Sequence, residues 1–286
     1  MKVLFGLLIV SMSASSIAAV SSIYDLQYLP EAGTVFGSTG LYALRSSDTY
    51  FDGTVDRKSR SKGLIARQSV GYSISNNLTV EGLVGYSDTK NKTSGSDSTN
   101  MSGLNNIGLR SKFRLINEEN RLDLIGGVSI SPDDDITKSN GDMNAYSGGH
   151  SASIALEYGV KKANHQWSFS AEYEYSLKAT SKDKSVSPTR TTKDDAHSGL
   201  AFQGNLLTQV AEMSYIKTSA GVNFVDEYED NDNGTTPGSS YYTLGAEFQQ
   251  VLSKDLFLGA GFNSMIAGNG SANVVMLYNL AATYQF

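Results

Sequence analysis

The sequence contains no cysteine. That excludes a disulfide scaffold, a thiolate-ligated zinc or iron–sulfur centre, a thiol nucleophile and a lipid-modified N-terminal cysteine. Proline is scarce, 4 in 286 residues, where an average chain carries ~5%. No run reaches the ~20 consecutive apolar residues that a transmembrane helix needs. Basic charge is short as well: 23 Lys and Arg against 29 Asp and Glu give a formal net charge of −6, so there is no basic footprint for nucleic acid. Only three histidines are available for acid–base work. What is abundant is glycine (28) and tyrosine (16), in a chain that is 40% hydrophobic and too apolar for a disordered polymer.

Residues 1–19 have the order of a secretory signal. Lys2 supplies the positive start and Val3 to Val10 a short apolar core. Small residues follow, with cleavage expected after Ala18 or Ala19. An exported chain without cysteine suits a bacterial envelope. Segment 20–33 is expected to be a periplasmic tail or a plug in the lumen, ahead of a barrel spanning 34–286.

From there apolar and polar residues alternate with period two. Val274, Met276, Tyr278, Leu280, Ala282, Tyr284 and Phe286 take every second position at the C-terminus. Trp167, Phe169, Ala171, Tyr173, Tyr175 and Leu177 repeat the pattern, and no amphipathic helical stretch competes with it. Such alternation means strands with one apolar face. The spacing predicts twelve, near 34–45, 62–74, 78–88, 101–116, 121–131, 148–161, 166–178, 196–208, 213–228, 239–252, 256–267 and 274–286. The connections alternate between tight (around Asn76, Glu118, Asn164, Ala211 and Lys254) and long and polar (46–61, 89–100, 132–147, 179–195, 229–238 and 268–273). Pro30, Pro132, Pro188 and Pro237 all fall outside strands, where a closed sheet keeps them because every strand N–H is needed for the ladder.

A soluble sandwich has strands of about 5–6 residues and no obligatory long–short order. Longer strands in even number, with short turns on one side and long loops on the other, predict an all-β, antiparallel up-and-down transmembrane barrel. At this point the C-terminus resembles a known class. Tyr278, Leu280, Tyr284 and the terminal Phe286 are similar to the assembly signal of Gram-negative outer-membrane β-barrel proteins. The resemblance implies an outer-membrane location, lipid and lipopolysaccharide around the barrel, recognition by the barrel-assembly machinery, and both termini in the periplasm.

If the apolar set faces lipid, the other set lines the lumen. Its ionisable members include Arg67, Glu81, Arg110, Lys112, Arg114, Asp123, Glu157, Glu172, Glu174, Lys217 and Glu247, with Lys161 and Lys178 at stave ends. Arg110, Lys112 and Arg114 form a basic stripe flanked by Glu81 and Asp123, with Glu157, Glu172 and Glu174 further round. Opposite charges on adjacent strands pair across a ladder. Two readings stand: a narrow passive, porin-like channel for small hydrophilic solutes, or a closed salt-bridged interior in a structural or surface-recognition barrel. Many inward glycines and serines leave volume, and twelve strands lie between a side-chain-filled barrel and a wide pore.

An outer-membrane hydrolase has thin support. His150 stands near Ser151 and Ser153, but Ala152 occupies the position two residues on where that class places its serine. His197–Ser198 follows Asp194–Asp195, and His165 falls in a tight turn. No cofactor or metal is expected: the run from Glu229 to Gly234 begins like a calcium loop, yet Ser240 stands where the bidentate Glu belongs. Asp133–Asp135 has no ligand spacing of its own.

Overall fold

Alternation of this kind places successive side chains on opposite faces, and the backbone pairs as that requires. The computed structural model describes residues 26–27, 29–51, 56–95, 98–133, 142–146, 149–162, 164–183, 190–230, 234–236, 238–267 and 274–286. The signal segment 1–19, Asp134–Asp135, residues 231–233 of the calcium-like run, Pro188 and Pro237 lie outside the described residues. The strands are β1 (Val35–Phe51), β2 (Asp56–Ser75), β3 (Leu78–Thr93), β4 (Thr99–Leu104), β5 (Ile107–Asn117), β6 (Asn120–Ile130), β7 (Ser151–Lys161), β8 (His165–Ser176), β9 (Ala179–Asp183), β10 (Arg190–Asp194), β11 (His197–Ala211), β12 (Ser214–Val225), β13 (Tyr228–Asp230), β14 (Gly234–Thr236), β15 (Ser239–Ser253), β16 (Leu256–Ala267) and β17 (Val274–Gln285).

Thirteen of them form one antiparallel sheet in the order β2-β1-β17-β16-β15-β12-β11-β8-β7-β6-β5-β3-β4, and β2 also pairs with β3, so the sheet closes. β4 and β5 share β3 as neighbour and form two halves of one stave. Twelve staves result, as the alternation predicts. First and last staves pair from Phe36↔Gln285 to Ser47↔Val274.

Three local features differ from expectation. β1 and β2 pair as far as Phe51↔Asp56, so most of 46–61 is hairpin rather than loop. The stave expected at 101–116 breaks at Asn105–Asn106, where Asn105 N donates to the Gly85 carbonyl at 2.8 Å and Ser87 Oγ donates to Asn105 Oδ1 at 2.8 Å. Loops 179–195 and 229–238 contain β9, β10, β13 and β14, which make a separate sheet in the order β14-β13-β10-β9.

The apolar faces point outward: Leu64 is 65% exposed, Leu280 58% and Leu41 57%, while Asp123, Ser73 and Ser87 inside are at 0%. Water would penalise such a belt at roughly 25 cal/mol per Å² of apolar surface, and hydrocarbon does not. Tyr72, Tyr158, Trp167 and Phe286 ring one end of the belt; Tyr86, Tyr173, Tyr175 and Tyr242 ring the other. These are the two aromatic girdles. Tight turns gather at the end that holds Phe286, and so do register shifts at Ser73/Ser75, Arg114/Ile116, Gln209/Ala211 and Val251/Ser253. Bulges at a barrel rim terminate pairing and re-aim the chain into the turn. This end is the periplasmic one for a barrel of this class.

Candidate functional site in the barrel lumen

Period two carries every second side chain inward, and the eleven ionisable residues expected inside from Arg67 to Glu247 all lie on that face. The stave-end lysines do not. Lys161 is exposed at the turn end of β7, and Lys178 lies beyond β8, bridging Asp195 at 2.8 Å. The hydrogen bond to Asp195 and that carboxylate's charge raise the pKa of this exposed ammonium.

Near the periplasmic mouth the charges are fully engaged. Asp123 on β6 stands opposite Arg114 on β5 and Glu157 on β7 in the ladders. Its carboxylate accepts from Arg114 Nε at 2.7 Å and Nη2 at 3.1 Å, and from Lys112 Nζ at 3.0 Å. Lys112 also lies 3.6 Å from Glu157. The N-terminal segment completes the cluster. Leu26 N donates to Gln166 Oε1 at 2.8 Å, Gln27 Nε2 donates to the Glu157 carbonyl at 2.9 Å, and Arg114 Nη2 donates to the Gln27 carbonyl. Two members of the basic stripe are therefore buried structural ions rather than a free wall. Arg110 faces Glu81 in the β3–β5 register.

Towards the outer end the balance changes. Glu172 and Glu174 on β8 carry no ion pair among the described residues; Glu174 accepts a hydrogen bond from Ser151, and both lie close enough to Tyr241 on β15 to act on it electrostatically. The inward side chains of this wall (Ser153, Ser170, Glu172, Glu174, Gln203, Asn205, Lys217 and Ser219) are polar and half-buried. Lys217 faces Glu247 in the β12–β15 register.

The opposite wall is filled. A Cβ built on Gly40 would sit 2.8 Å from the Tyr42 ring, and one on Gly259 would sit 2.9 Å from Glu247 Oε1. Phe36 lies over Gly71 in the same way, and at the periplasmic end of β7, on the polar wall, Gln27 lies over Gly159. Gly40, Gly71, Gly159 and Gly259 thus do not leave open volume, as their size suggests in the sequence; longer neighbours lie down over them. Sequence reasoning also missed an inward apolar cluster in the outer half: Tyr42, Leu44, Ile65, Val225, Tyr241, Met265, Val275 and Leu277. Its only signal is apolar residues in positions of polar parity, such as Val275 and Leu277.

The histidines are occupied by backbone. His150 Nδ1 accepts the Ser131 N–H at 3.1 Å, and His197 Nδ1 lies 3.3 Å from the Asp195 carbonyl with its ring stacked on Tyr228 at 4.5 Å. The Ser198 hydroxyl donates to Asp226, not to a histidine. These contacts assemble no nucleophile–base pair at either position.

No protein-family model matches the chain, and no curated protein sequence does either. Solved structures match in fold. An outer-membrane channel from Pseudomonas putida F1 superposes with a TM-score of 0.67 at 16% identity, over 93% of this chain and 100% of that one. The translocator domain of the autotransporter NalP from Neisseria meningitidis gives 0.60 at 14% identity, over 96% and 95%. The β domain of the Bordetella autotransporter BrkA gives 0.53 at 16%, over 90% and 100%. With the closed twelve-stave sheet and its apolar belt, the molecule is a bacterial outer-membrane β-barrel.

Proposed function

We propose that the protein is a narrow passive channel for small hydrophilic solutes. One observation carries this reading: the band of polar, half-buried inward side chains on β7, β8, β11 and β12, broken by Ala155, Ala201 and Leu207, which has the character of a wetted surface. The Pseudomonas putida barrel of the same architecture is itself a channel, which supports the reading without deciding it. Glu172 and Glu174 stand on β8, five staves from Arg67 on β2 in one direction and seven in the other, so the poles of a transverse field lie on opposite walls. The acidic pole is the one the sequence suggests, but the basic one is not, since Lys112 and Arg114 are neutralised.

Conductance of the purified protein in a planar bilayer is the test. Wild-type barrels should conduct, and Glu172→Gln/Glu174→Gln should shift ion selectivity toward anions. The shift should shrink between 0.1 M and 1 M salt, as the Debye length falls from about 10 Å to about 3 Å. A wild-type barrel that never conducts would instead favour surface recognition, for which the outer sheet of β9, β10, β13 and β14 is the supporting feature.

The C-terminal stave is further proposed to be the segment read by the barrel-assembly machinery. Phe286 N donates to the Val35 carbonyl at 2.8 Å, and its ring lies 5.4 Å from that of Tyr284. Deleting Phe286 should lower the heat-modifiable, folded barrel in membranes several-fold, whereas deleting one residue from connection 132–147 should leave it unchanged. Equal yields of both variants would refute the assignment.

A further inference from the structure

Arg67 is the lumen guanidinium whose needs the protein does not meet. Its Nη1 is buried without a hydrogen-bond partner, and no carboxylate pairs with it among the described residues. Arg114, by contrast, is saturated by Asp123, Asn117 and Gln27. Glu247, on the same side of the lumen, is already engaged: Gln249 Nε2 donates to Oε1 at 2.6 Å and Asn279 Nδ2 to Oε2 at 2.8 Å. The ladder runs from Arg67 to Gly40, which the Tyr42 ring covers, to Ala281. Flanking Ala281, the Asn279 Oδ1 and Thr283 Oγ1 atoms are also buried without partners. Three orphaned polar atoms therefore share one patch spanning three neighbouring staves.

What borders the patch is apolar. The Tyr42 ring lies over Gly40 with the Arg67 guanidinium carbon 5.1 Å from its centroid. Ile65 stands two residues outward of Arg67 on the same face, and Leu277 two residues outward of Asn279; both belong to the buried cluster with Leu44.

We propose that Arg67 and Thr283 are the polar end of a solute-binding site in the lumen, and that its ligand is a small carboxylate with an apolar body. A carboxylate matches the planar donor fork of a guanidinium and supplies the counter-charge a sheltered cation lacks. The Thr283 hydroxyl donates to the same anion, and Tyr42, Ile65 and Leu277 cover the hydrocarbon. An inorganic anion would use only half of this surface, and a neutral alcohol would leave the charge unmet. The inference rests on the channel reading for the ligand's route, but binding itself is measured separately.

The test is isothermal titration of the detergent-solubilised full-length mature barrel with benzoate, acetate and benzyl alcohol. Benzoate should bind at least tenfold more tightly than either. Arg67→Gln should weaken benzoate at least tenfold while the barrel keeps its heat-modifiable migration, since the substitution removes an unpaired charge. Leu277→Asn should weaken benzoate and leave acetate unchanged, which separates the apolar half from the ionic half. Benzoate binding that survives Arg67→Gln, or acetate binding equal to benzoate, would overturn the proposal. Conductance of the wild-type protein is read in parallel. A barrel that binds benzoate but never conducts keeps this site and loses the channel; one that conducts but does not bind benzoate does the reverse.

Discussion

Replacing Asp123 by alanine is expected to cost the barrel about 3–5 kcal/mol, the loss that follows when one partner of a buried ion cluster is removed and the other charges stay behind. The carboxylate is fully buried and holds both Arg114 and Lys112. Without it, two cations stand two residues apart on the same face of β5, with Glu157 at 3.6 Å from Lys112 as the remaining counter-charge. Urea unfolding in lipid vesicles, followed by the shift between folded and unfolded gel bands, measures the change. Asp123→Ala combined with Lys112→Met and Arg114→Met should recover most of the loss, because apolar replacement of a whole buried ion group is often neutral. Removing Arg110, Lys112 and Arg114 together for serine should likewise act on stability before selectivity, since it strands Asp123. A midpoint unchanged in Asp123→Ala would mean that the cluster is solvated, and the two lysine and arginine charges would return to the conducting wall.

The same cluster marks how far the sequence could be read. Strand parity alone put Arg114, Lys112, Asp123 and Glu157 inside, because a side-chain period of two leaves no other face once the apolar set meets lipid. Parity does not say which charges touch. That depends on register, and here register turns on a bulge at Arg114/Ile116, which sets Arg114 against Asp123. A bulge is a one-residue event with no compositional mark. The basic stripe was therefore legible as a stripe but not as a neutralised one.

The staves themselves were legible for a simpler reason: lipid imposes one rule on twelve outward faces, so the signal repeats. The lumen imposes no such rule. Water, a neighbouring side chain or an apolar cluster all satisfy an inward position, which is why Leu44, Ile65 and Val225 gave no warning of their shared packing. The outer sheet was hidden in another way. β9, β10, β13 and β14 are built from residues such as Thr191, Thr192, Lys193 and Thr235, which have no apolar face to alternate; their pairing is carried by backbone bonds. The break at Asn105–Asn106 reads as ordinary turn chemistry inside a strand, and only the Ser87 and Gly85 contacts show why the barrel accepts it.

Removing residues 20–29 from the mature chain is expected to raise single-channel conductance several-fold. The sequence does not choose between a tail and a plug for this segment. The contacts place Leu26 and Gln27 inside. Leu26 and Gln27 are 9% and 2% exposed, fixed by Gln166, Glu157 and Arg114 from three different staves. Further along, Ser73 Oγ donates to the Pro30 carbonyl at 2.7 Å and Ala32 N to Asn76 Oδ1 at 2.9 Å, so the segment is tied to the rim on the way in. Truncation takes one acceptor from Arg114, a charged hydrogen bond worth about 1.5–3 kcal/mol, but leaves Asp123 in place. The barrel should therefore stay folded while its periplasmic mouth widens by the bulk of two buried side chains. Gln27→Ala, which keeps the backbone acceptor and removes the arm over Gly159, should give a smaller rise in the same direction. If the truncated barrel migrates as folded and conducts no better than wild type, the constriction lies instead at the apolar cluster of the outer half. Leu277 and Tyr42, rather than Gln27, would then be the residues that set the current.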